Sequence, residues 1–523
     1  MNTRLIFFFF IFFLLSLAGI HAQPGSLDKS FGENGIVSTV IGNQTADAES
    51  IAIQSDSKIV AAGFSYIGTN YYFTIARYDT NGSLDASFGV NGVITTTIDS
   101  GHSAINSLII QPDGKLVVAG YFGYNFNDNF ALARYNMDGS LDNSFGIDGF
   151  VTTSFGVFSV IFSSAIQVDG KIVVAGCMGS PVSPGGNKFA LARYTTNGTL
   201  DSTFGTNGKL TTAIRGIDDA AQSVCIQADG KIIAAGGSYH YNNFNENPDI
   251  ALVRYNTNGK LDTTFGTEGI VITDINDDSY ATKINILENK KILISGYTNN
   301  GINYQFALAQ YNTDGSLDKS FGTNGIVTTT IGSGDDYSKS AIIQPDNKIV
   351  LIGNSINNSI AKLALVRYNQ DGSLDNLFGI NGIVTTAIDS GDFYLSAVAM
   401  QHNGKIIVGG GIYINETTGS LTLARYISGL NIGDTENQNN SVLFYPNPSN
   451  NSLNIAFELK NTENVTISIC NLVGQAEGLI TDQNYPSGKH QLKYNVSTLS
   501  PGCYICTFKA GDLLTSKKLV VIR

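Results

Sequence analysis

Tryptophan is absent from this chain, proline numbers only 10 in 523 residues, and just 14% of positions are charged. A typical globular domain has about a quarter of its residues charged. Glycine is abundant instead, at 57, which suits short strands and tight turns. The sparse charge is also unbalanced, with a net −12. Neutralising a phosphate backbone takes clustered Lys and Arg, so a nucleic-acid partner is excluded. No window shows apolar residues at helical spacing over three turns, which excludes a helical solenoid.

Chemistry-bearing motifs are equally scarce. H-E-x-x-H, G-x-S-x-G and P-loop spacings do not occur. The five His residues, at 21, 102, 240, 402 and 490, are scattered. Cys503 and Cys506 form a C-x-x-C inside a strand-like run with Tyr504, Ile505 and Phe508. Residues three apart on a strand face opposite sides, so the pair reads as structural rather than metal-binding or redox. No metal and no cofactor is expected. Whether Cys470 bridges to Cys503 or to Cys506 stays open.

Long apolar runs are limited to one. A charged start at Arg4 is followed by Leu5 to Leu17 and then small residues before Ala22. This is the pattern of a cleaved signal peptide over residues 1–22, too short to span a bilayer comfortably. No other apolar run approaches the roughly 18 residues of a spanning helix, so no transmembrane segment is expected in the mature chain.

What the chain does have is a phrase repeated seven times. Phe-Gly recurs in one context at Phe31, Phe88, Phe145, Phe204, Phe265, Phe321 and Phe378, at steps of 57, 57, 59, 61, 56 and 57 residues. Each unit reads Ser-Leu-Asp-x-Ser-Phe-Gly-x-Asn-Gly-Ile-Val-Thr-Thr, an apolar run ending in Gln, Asp-Gly-Lys-Ile-Val-Val-Ala-Gly, then Phe-Ala-Leu-Ala-Arg-Tyr. Such a period signals a solenoid, a propeller or an array. In the second unit, Val93–Ile98, Ile105–Gln111, Lys115–Gly120 and Phe130–Tyr135 read as four strands separated by turn residues, which fits one propeller blade. A β-solenoid is the rival, but its coils are shorter and it needs caps rather than closure.

The cut ends favour a ring. The first copy supplies a strand, 36–41, with no Arg-Tyr strand before it. The last supplies an Arg-Tyr strand, 421–426, with nothing after it. Pairing the two completes a seventh blade and removes two open edges. Charge follows the same logic. Arg77, Arg134, Arg193, Arg254 and Arg367 each precede an Asp by eight residues, at Asp85, Asp142, Asp201, Asp262 and Asp375. These are expected to pair and brace each blade loop rather than to form a calcium loop, which needs six or more oxygens. Closure would pair the two residues left over, Arg425 and Asp28. Gln310 replaces Arg ahead of Asp318, so the pair is dispensable in one blade.

These phrases resemble delta-60 repeats, a propeller-type repeat of exported bacterial proteins, from Pro24 to Ser428. The resemblance implies a β-propeller and no particular activity. Local departures are Ser57, Lys290 and Asn347 in place of the turn Gly, and Glu268 in place of Asn.

Residues 429–440 read as a polar linker, and 441–523 as a separate all-β unit. Its strand candidates are Leu453–Leu459, Val465–Asn471, His490–Val496, Gly502–Lys509 and Ser516–Ile522, suited to a seven-strand sandwich. Its motifs are Tyr445-Pro446-Asn447-Pro448, Gly474-Gln475, Leu499-Ser500-Pro501-Gly502-x-Tyr504 and the terminal Lys518-Leu519-Val520-Val521. Together they resemble the type A C-terminal sorting domain of the Bacteroidetes type IX secretion system. That resemblance implies partnership with the secretion machinery and a secreted or cell-surface location, reached through the periplasm and outer membrane.

The expected architecture is therefore all-β: a signal peptide (1–22), a seven-bladed β-propeller (23–428), a linker and a small β-sandwich. With four antiparallel strands per blade, the Asp-Gly-Lys turns and Phe-Gly loops share one uniform face, and the other connections share a variable one. A scaffold presenting variable loops is where binding resides. Candidate ligand residues on that face are Tyr66, Tyr121, Tyr124, Tyr239, Tyr241, Asp218, Asp277 and Asp335, since Tyr offers contact area with a polar handle. The reading is a glycan- or protein-binding module and not an enzyme. Alternatives are a structural adhesion component without a discrete ligand and a polysaccharide-active enzyme.

Overall fold

The computed structural model describes residues 23–521 apart from 43, 99–100, 125–126, 180–185, 216–217, 243–244, 358–359, 389–391, 416–417, 431–441, 446–448, 450, 460, 472–475, 501 and 512. The expected signal peptide and most of the expected linker lie outside the described residues. The chain divides into two compact units, Met1–Asn431 and Ile432–Arg523.

The first unit holds seven four-stranded antiparallel sheets among its described residues. Blade one is typical, with strands Ala46–Ile53, Ile59–Ile67, Asn70–Tyr78 and Val93–Thr96 from the inside outward. Blades two to six begin at His102, Phe158, Asp219, Ser279 and Asp335 in the same order. Blade seven takes three strands from Asp392–Met400, Ile406–Asn415 and Thr418–Tyr426, and its outer strand is Ile36–Thr39. That strand runs antiparallel to the last one, with Ile36 opposite Ala424 and Thr39 opposite Leu421.

Apolar burial lies between blades rather than within them. Seven clusters each join residues of two adjacent sheets, and the one containing Phe31, Ala61, Tyr78, Ile407 and Leu423 joins blade seven to blade one. Buried side chains of this size each contribute about 1.5–3 kcal/mol. The Tyr that ends each third strand, after Arg in six blades and after Gln310 in blade five, is buried and hydrogen-bonded to a Thr of the preceding blade's outer strand. Examples are Tyr135 to Thr96 at 2.9 Å, Tyr311 to Thr273 at 2.7 Å and, across the closure, Tyr78 to Thr39 at 2.7 Å.

The uniform face is held by charge. Arg134 Nε lies 2.7 Å from Asp142 Oδ2, Lys115 of the Asp-Gly-Lys turn reaches the same oxygen at 2.7 Å, and the guanidinium sits 4.6 Å above the Phe145 ring. Arg134 Nη1 also donates to the Thr196 carbonyl of the next blade at 2.6 Å. The same contacts join Arg425 to Asp28 at 2.7 Å and Lys405 to Asp28 at 3.0 Å. Both Asp-Gly-Lys turns and Phe-Gly loops thus occupy one face. The departures keep the local backbone: Ser57, Lys290 and Asn347 take the positive φ of the turn glycine, at 68°, 67° and 62°, and Glu268 at 54° takes that of the Asn in sister loops, such as Asn91 at 52°.

The second unit is a sandwich of a three-stranded and a four-stranded sheet. Leu443–Tyr445, Ser452–Leu459 and Gly488–Asn495 form one, and Glu463–Asn471, Ala476–Tyr485, Gly502–Ala510 and Leu513–Val521 form the other. Leu453, Ile455, Ile467, Phe508 and Leu519 fill the space between. Tyr504 is buried, and its hydroxyl donates to the Ser500 carbonyl at 2.8 Å. Tyr445 is exposed and accepts from Gln491 Nε2 at 3.0 Å. Gly502 pairs with Val521 and Lys518 with Ile505 in the edge ladder. Pro446, Asn447 and Pro448 lie outside the described residues. Cys470 and Cys506 are free thiols.

Candidate functional site

Every innermost strand carries a β-bulge at the same place. The register slips between Ala48 and Ser50, Ile105 and Ser107, Ile161 and Ser163, Ala221 and Ser223, Ala281 and Lys283, Ser338 and Ser340, and Leu395 and Ala397. The cause is visible one strand out. Each Asp-Gly-Lys-Ile-Val-Val-Ala-Gly phrase ends in a Gly pressed against the bulged backbone; a side chain at Gly120 or Gly296 would collide with the carbonyl of Ala104 or Tyr280. A bulge leaves one residue unpaired and re-aims its side chain. Here those residues are Glu49, Asn106, Phe162, Gln222, Thr282, Lys339 and Ser396, and all seven line one axial cavity of about 520 Å³. Sequence reasoning missed this ring. Glycine inside a strand was the available signal, since it marks a bulge or a close backbone approach.

The bulge residues differ in charge where the scaffold is uniform. Burial holds the Glu49 carboxyl well above the ordinary carboxylate range, against the opposing pull of the Ser396 hydroxyl and the Lys339 charge. Asp47, two residues earlier and almost fully buried, is raised as well, by burial and by Glu49. Its Oδ2 accepts from the Tyr413 hydroxyl at 2.6 Å. Burial lowers the Lys283 ammonium.

Toward the variable face, tyrosines gather in two groups, the first of which reaches this cavity. In blades four to six, Tyr239 and Tyr280 have ring centroids 5.8 Å apart, Tyr280 and Tyr297 stack at 5.1 Å, and Tyr337 meets Tyr297 at 5.2 Å and Tyr304 at 4.9 Å. Tyr304 donates to Asp278 Oδ2 at 2.9 Å, and its amide donates to Asp335 Oδ1 at 3.0 Å. In blades seven, one and two, Tyr71 lies 4.9 Å from Tyr66 and 5.8 Å from His102, and Tyr394 lies 5.6 Å from Tyr413. Tyr280 and Tyr297 line the cavity itself.

The sequence-derived candidates divide between these groups. Tyr239 and Asp335 join the first, where the Asp218 carbonyl accepts from the Tyr239 amide at 3.1 Å and Asp277 is exposed nearby in sequence. Tyr66 belongs to the second. Tyr121 is half-buried, with its phenol pushed up to about 12 by burial and by Asp128. Tyr124 is 62% exposed beyond the strand end. The side chain of Tyr241 lies outside the described residues. Among the described residues, no His, Cys, Asp and Glu group is arranged to hold a metal ion.

Comparison with known proteins defines both units. Residues 54–88, 111–145, 167–204, 227–265, 288–321 and 344–378 match the "Domain of unknown function (DUF5122) beta-propeller". Residues 443–522 match the "Secretion system C-terminal sorting domain". The chain is thus exported by type IX secretion to the cell surface or the medium, and the sorting domain engages that machinery. No curated protein sequence matches the chain. Among solved structures, Sqt1 from Chaetomium thermophilum is 11% identical, with 75% of this chain and 98% of that one covered at a TM-score of 0.41. Polysaccharide lyase Uly1 is 13% identical, covering 79% and 94%, at 0.41. A glycosyl hydrolase from Bacteroides ovatus is 14% identical, covering 50% and 84%, at 0.26.

The expectation that this chain is not an enzyme is corrected by that set, which includes a lyase and a glycosyl hydrolase. The physical reason lies in the bulges. Glu49, Lys283 and Lys339 converge on one cavity from three blades, so ionisable groups meet without any contiguous motif. At these TM-scores the likenesses assign no reaction.

Proposed function

We propose, for a chain built of DUF5122 beta-propeller repeats and a secretion-system sorting domain, that the exported ring binds a carbohydrate at its axial cavity. The observation that carries this reading is the tyrosine group of blades four to six, two of whose members, Tyr280 and Tyr297, line a cavity of about 520 Å³. Tyrosine faces cover the apolar C–H surface of a sugar ring, and their hydroxyls meet its oxygens. Asp278 and Asp335 already hold Tyr304 in place, so the platform is formed before any ligand arrives. Concave sites with a few convergent polar groups are where small ligands bind.

The test is retention of the secreted protein on a glycan array. Tyr280→Ala with Tyr337→Ala is expected to weaken retention by about 1.4–3 kcal/mol, tenfold or more, while Tyr124→Ala leaves it unchanged. A double variant that binds like wild type overturns the reading and leaves an adhesive scaffold.

A second reading has its own observation. Burial raises the Glu49 carboxyl above the ordinary carboxylate range against the pull of the Lys339 charge, a shift in the direction that suits a general acid acting on a polysaccharide. It predicts release of reducing or unsaturated ends by wild type and none by Glu49→Gln.

A further inference from the structure

Six of the seven blades carry an arginine on the uniform face, and five of these do four things at once, Arg367 lacking only the hydroxyl contact because Leu377 stands in its place. In blade two the arginine pairs with the loop carboxylate, bonds Ser144 Oγ at 3.1 Å, covers the Phe145 ring at 4.6 Å and donates to the Thr196 carbonyl of the next blade at 2.6 Å. In blade five the residue is Gln310. Its Nε2 replaces the arginine Nε, donating to Asp318 Oδ2 at 2.6 Å, and nothing of the chain extends further. A cavity of about 270 Å³ opens there, lined by Gln310, Asp318, Ser320, Phe321, Gln370 and Asp371, with Asn289 and the Lys291 that pairs with Asp318 along one side.

We propose that this vacancy is a binding site for a guanidinium group, supplied by an arginine side chain of a partner. Three observations support it beyond the hole itself. Gln310 is 5% exposed and its Oε1 has no hydrogen-bond partner, so a buried acceptor is left unsatisfied in a residue that lines the cavity. The charge is one unit short: Asp142 meets both Arg134 and Lys115, whereas Asp318 meets only Lys291, at 2.6 Å. Three contact surfaces that the sister guanidinium groups use are retained, with Ser320 for the hydroxyl, Phe321 for the ring face and Gln370 at the position of the accepting carbonyl. One acceptor differs, because Leu287 stands where Gln401 accepts weakly from Arg425 at 3.3 Å. Gln370 and Asp371 are exposed, so the site opens to solvent. A planar guanidinium fits a ring face and several in-plane acceptors better than a compact ammonium does. The six sister blades display the occupant in place.

The probe is methylguanidinium chloride, titrated into the full secreted chain by calorimetry, with methylammonium chloride as control. A five-heavy-atom ligand is expected at a Kd of about 1–10 mM. At ten times Kd the melting temperature of the ring should rise by about 1–2 °C. Gln310→Arg fills the vacancy from within, and should melt higher than wild type and give no methylguanidinium response. Equal responses of wild type and Gln310→Arg, or of the two cations, overturn the proposal. So does a Gln310→Arg chain that folds less stably than wild type, because the cavity is then not arginine-shaped.

Discussion

The Tyr78 hydroxyl lies 2.7 Å from Thr39 Oγ1, so the first complete blade is bonded to the strand that finishes the seventh. The same Tyr–Thr bond links other neighbouring sheets, as in Tyr194 to Thr153 at 2.8 Å and Tyr426 to Thr386 at 2.8 Å. Tyr78→Phe leaves the Thr39 hydroxyl buried without its partner. The expected loss is about 1–2 kcal/mol in urea unfolding, with an unchanged slope. Removing residues 23–41 should do far more, exposing the Leu421–Ala424 edge and giving concentration-dependent association in light scattering.

Acid should loosen the uniform face. The loop carboxylates are held low despite their burial, by Ser or Thr hydroxyls, a lysine and the neighbouring arginine; Asp201 stands at about 2. A depressed carboxylate contributes stability that is complete above its unfolded value near 3.8 and is lost as pH falls through the folded one. Stability should therefore decline between about pH 4 and pH 2. Arg193→Gln is expected to shallow that decline and to cost about 1–3 kcal/mol at pH 7, read by thermal melts across pH.

Alkali should act on the cavity with the opposite sign. Asp47 is raised by burial, from 3.8 to about 8, so the folded state holds a proton that the unfolded chain releases. Stability falls as pH rises through that interval. Asp47→Asn keeps the neutral hydrogen-bonding shape and should flatten the melting temperature between pH 5 and pH 8. A wild-type slope in the variant would refute the assignment.

Lys290 holds φ of 67°, where a side chain is strained and most sister blades place Gly. Lys290→Gly should stabilise blade five by up to about 1 kcal/mol, measured as a rise in denaturation midpoint. Lys290→Ala keeps the strain and should give no gain.

Deleting residues 441–523 should leave a folded ring that accumulates in the periplasm, detected by fractionation. Normal appearance in the medium would contradict the role of the sorting domain.

Much of the fold was legible because one phrase repeats and its ends are out of phase. Gly in Phe-Gly names its own place in each blade, and the paired Arg and Asp name theirs in every blade but the fifth. The site was less legible. Loop residues such as Tyr239 and Asp335 stand out by composition, but Tyr280 and Tyr337 sit inside strands, where an aromatic reads as core. Aligned on the bulges, these two and Tyr394 occupy one column that holds Ala104 and Ala220 in other blades. Their exposure to the axis depends on the bulge, and the bulge depends on a Gly in a different strand. Glu49 and Lys339 share a column for the same reason, and no local pattern joins them.

The borrowed strand also sets an order of events. One part of the final sheet comes from residues 36–39 and the rest from 392–426, so no shorter length of chain can shut the circle. The seam stays unzipped until almost the entire first unit has emerged, and the segment that comes next is the address label for export. A prematurely terminated product would lack both the seal and the label, which couples shipment to completion.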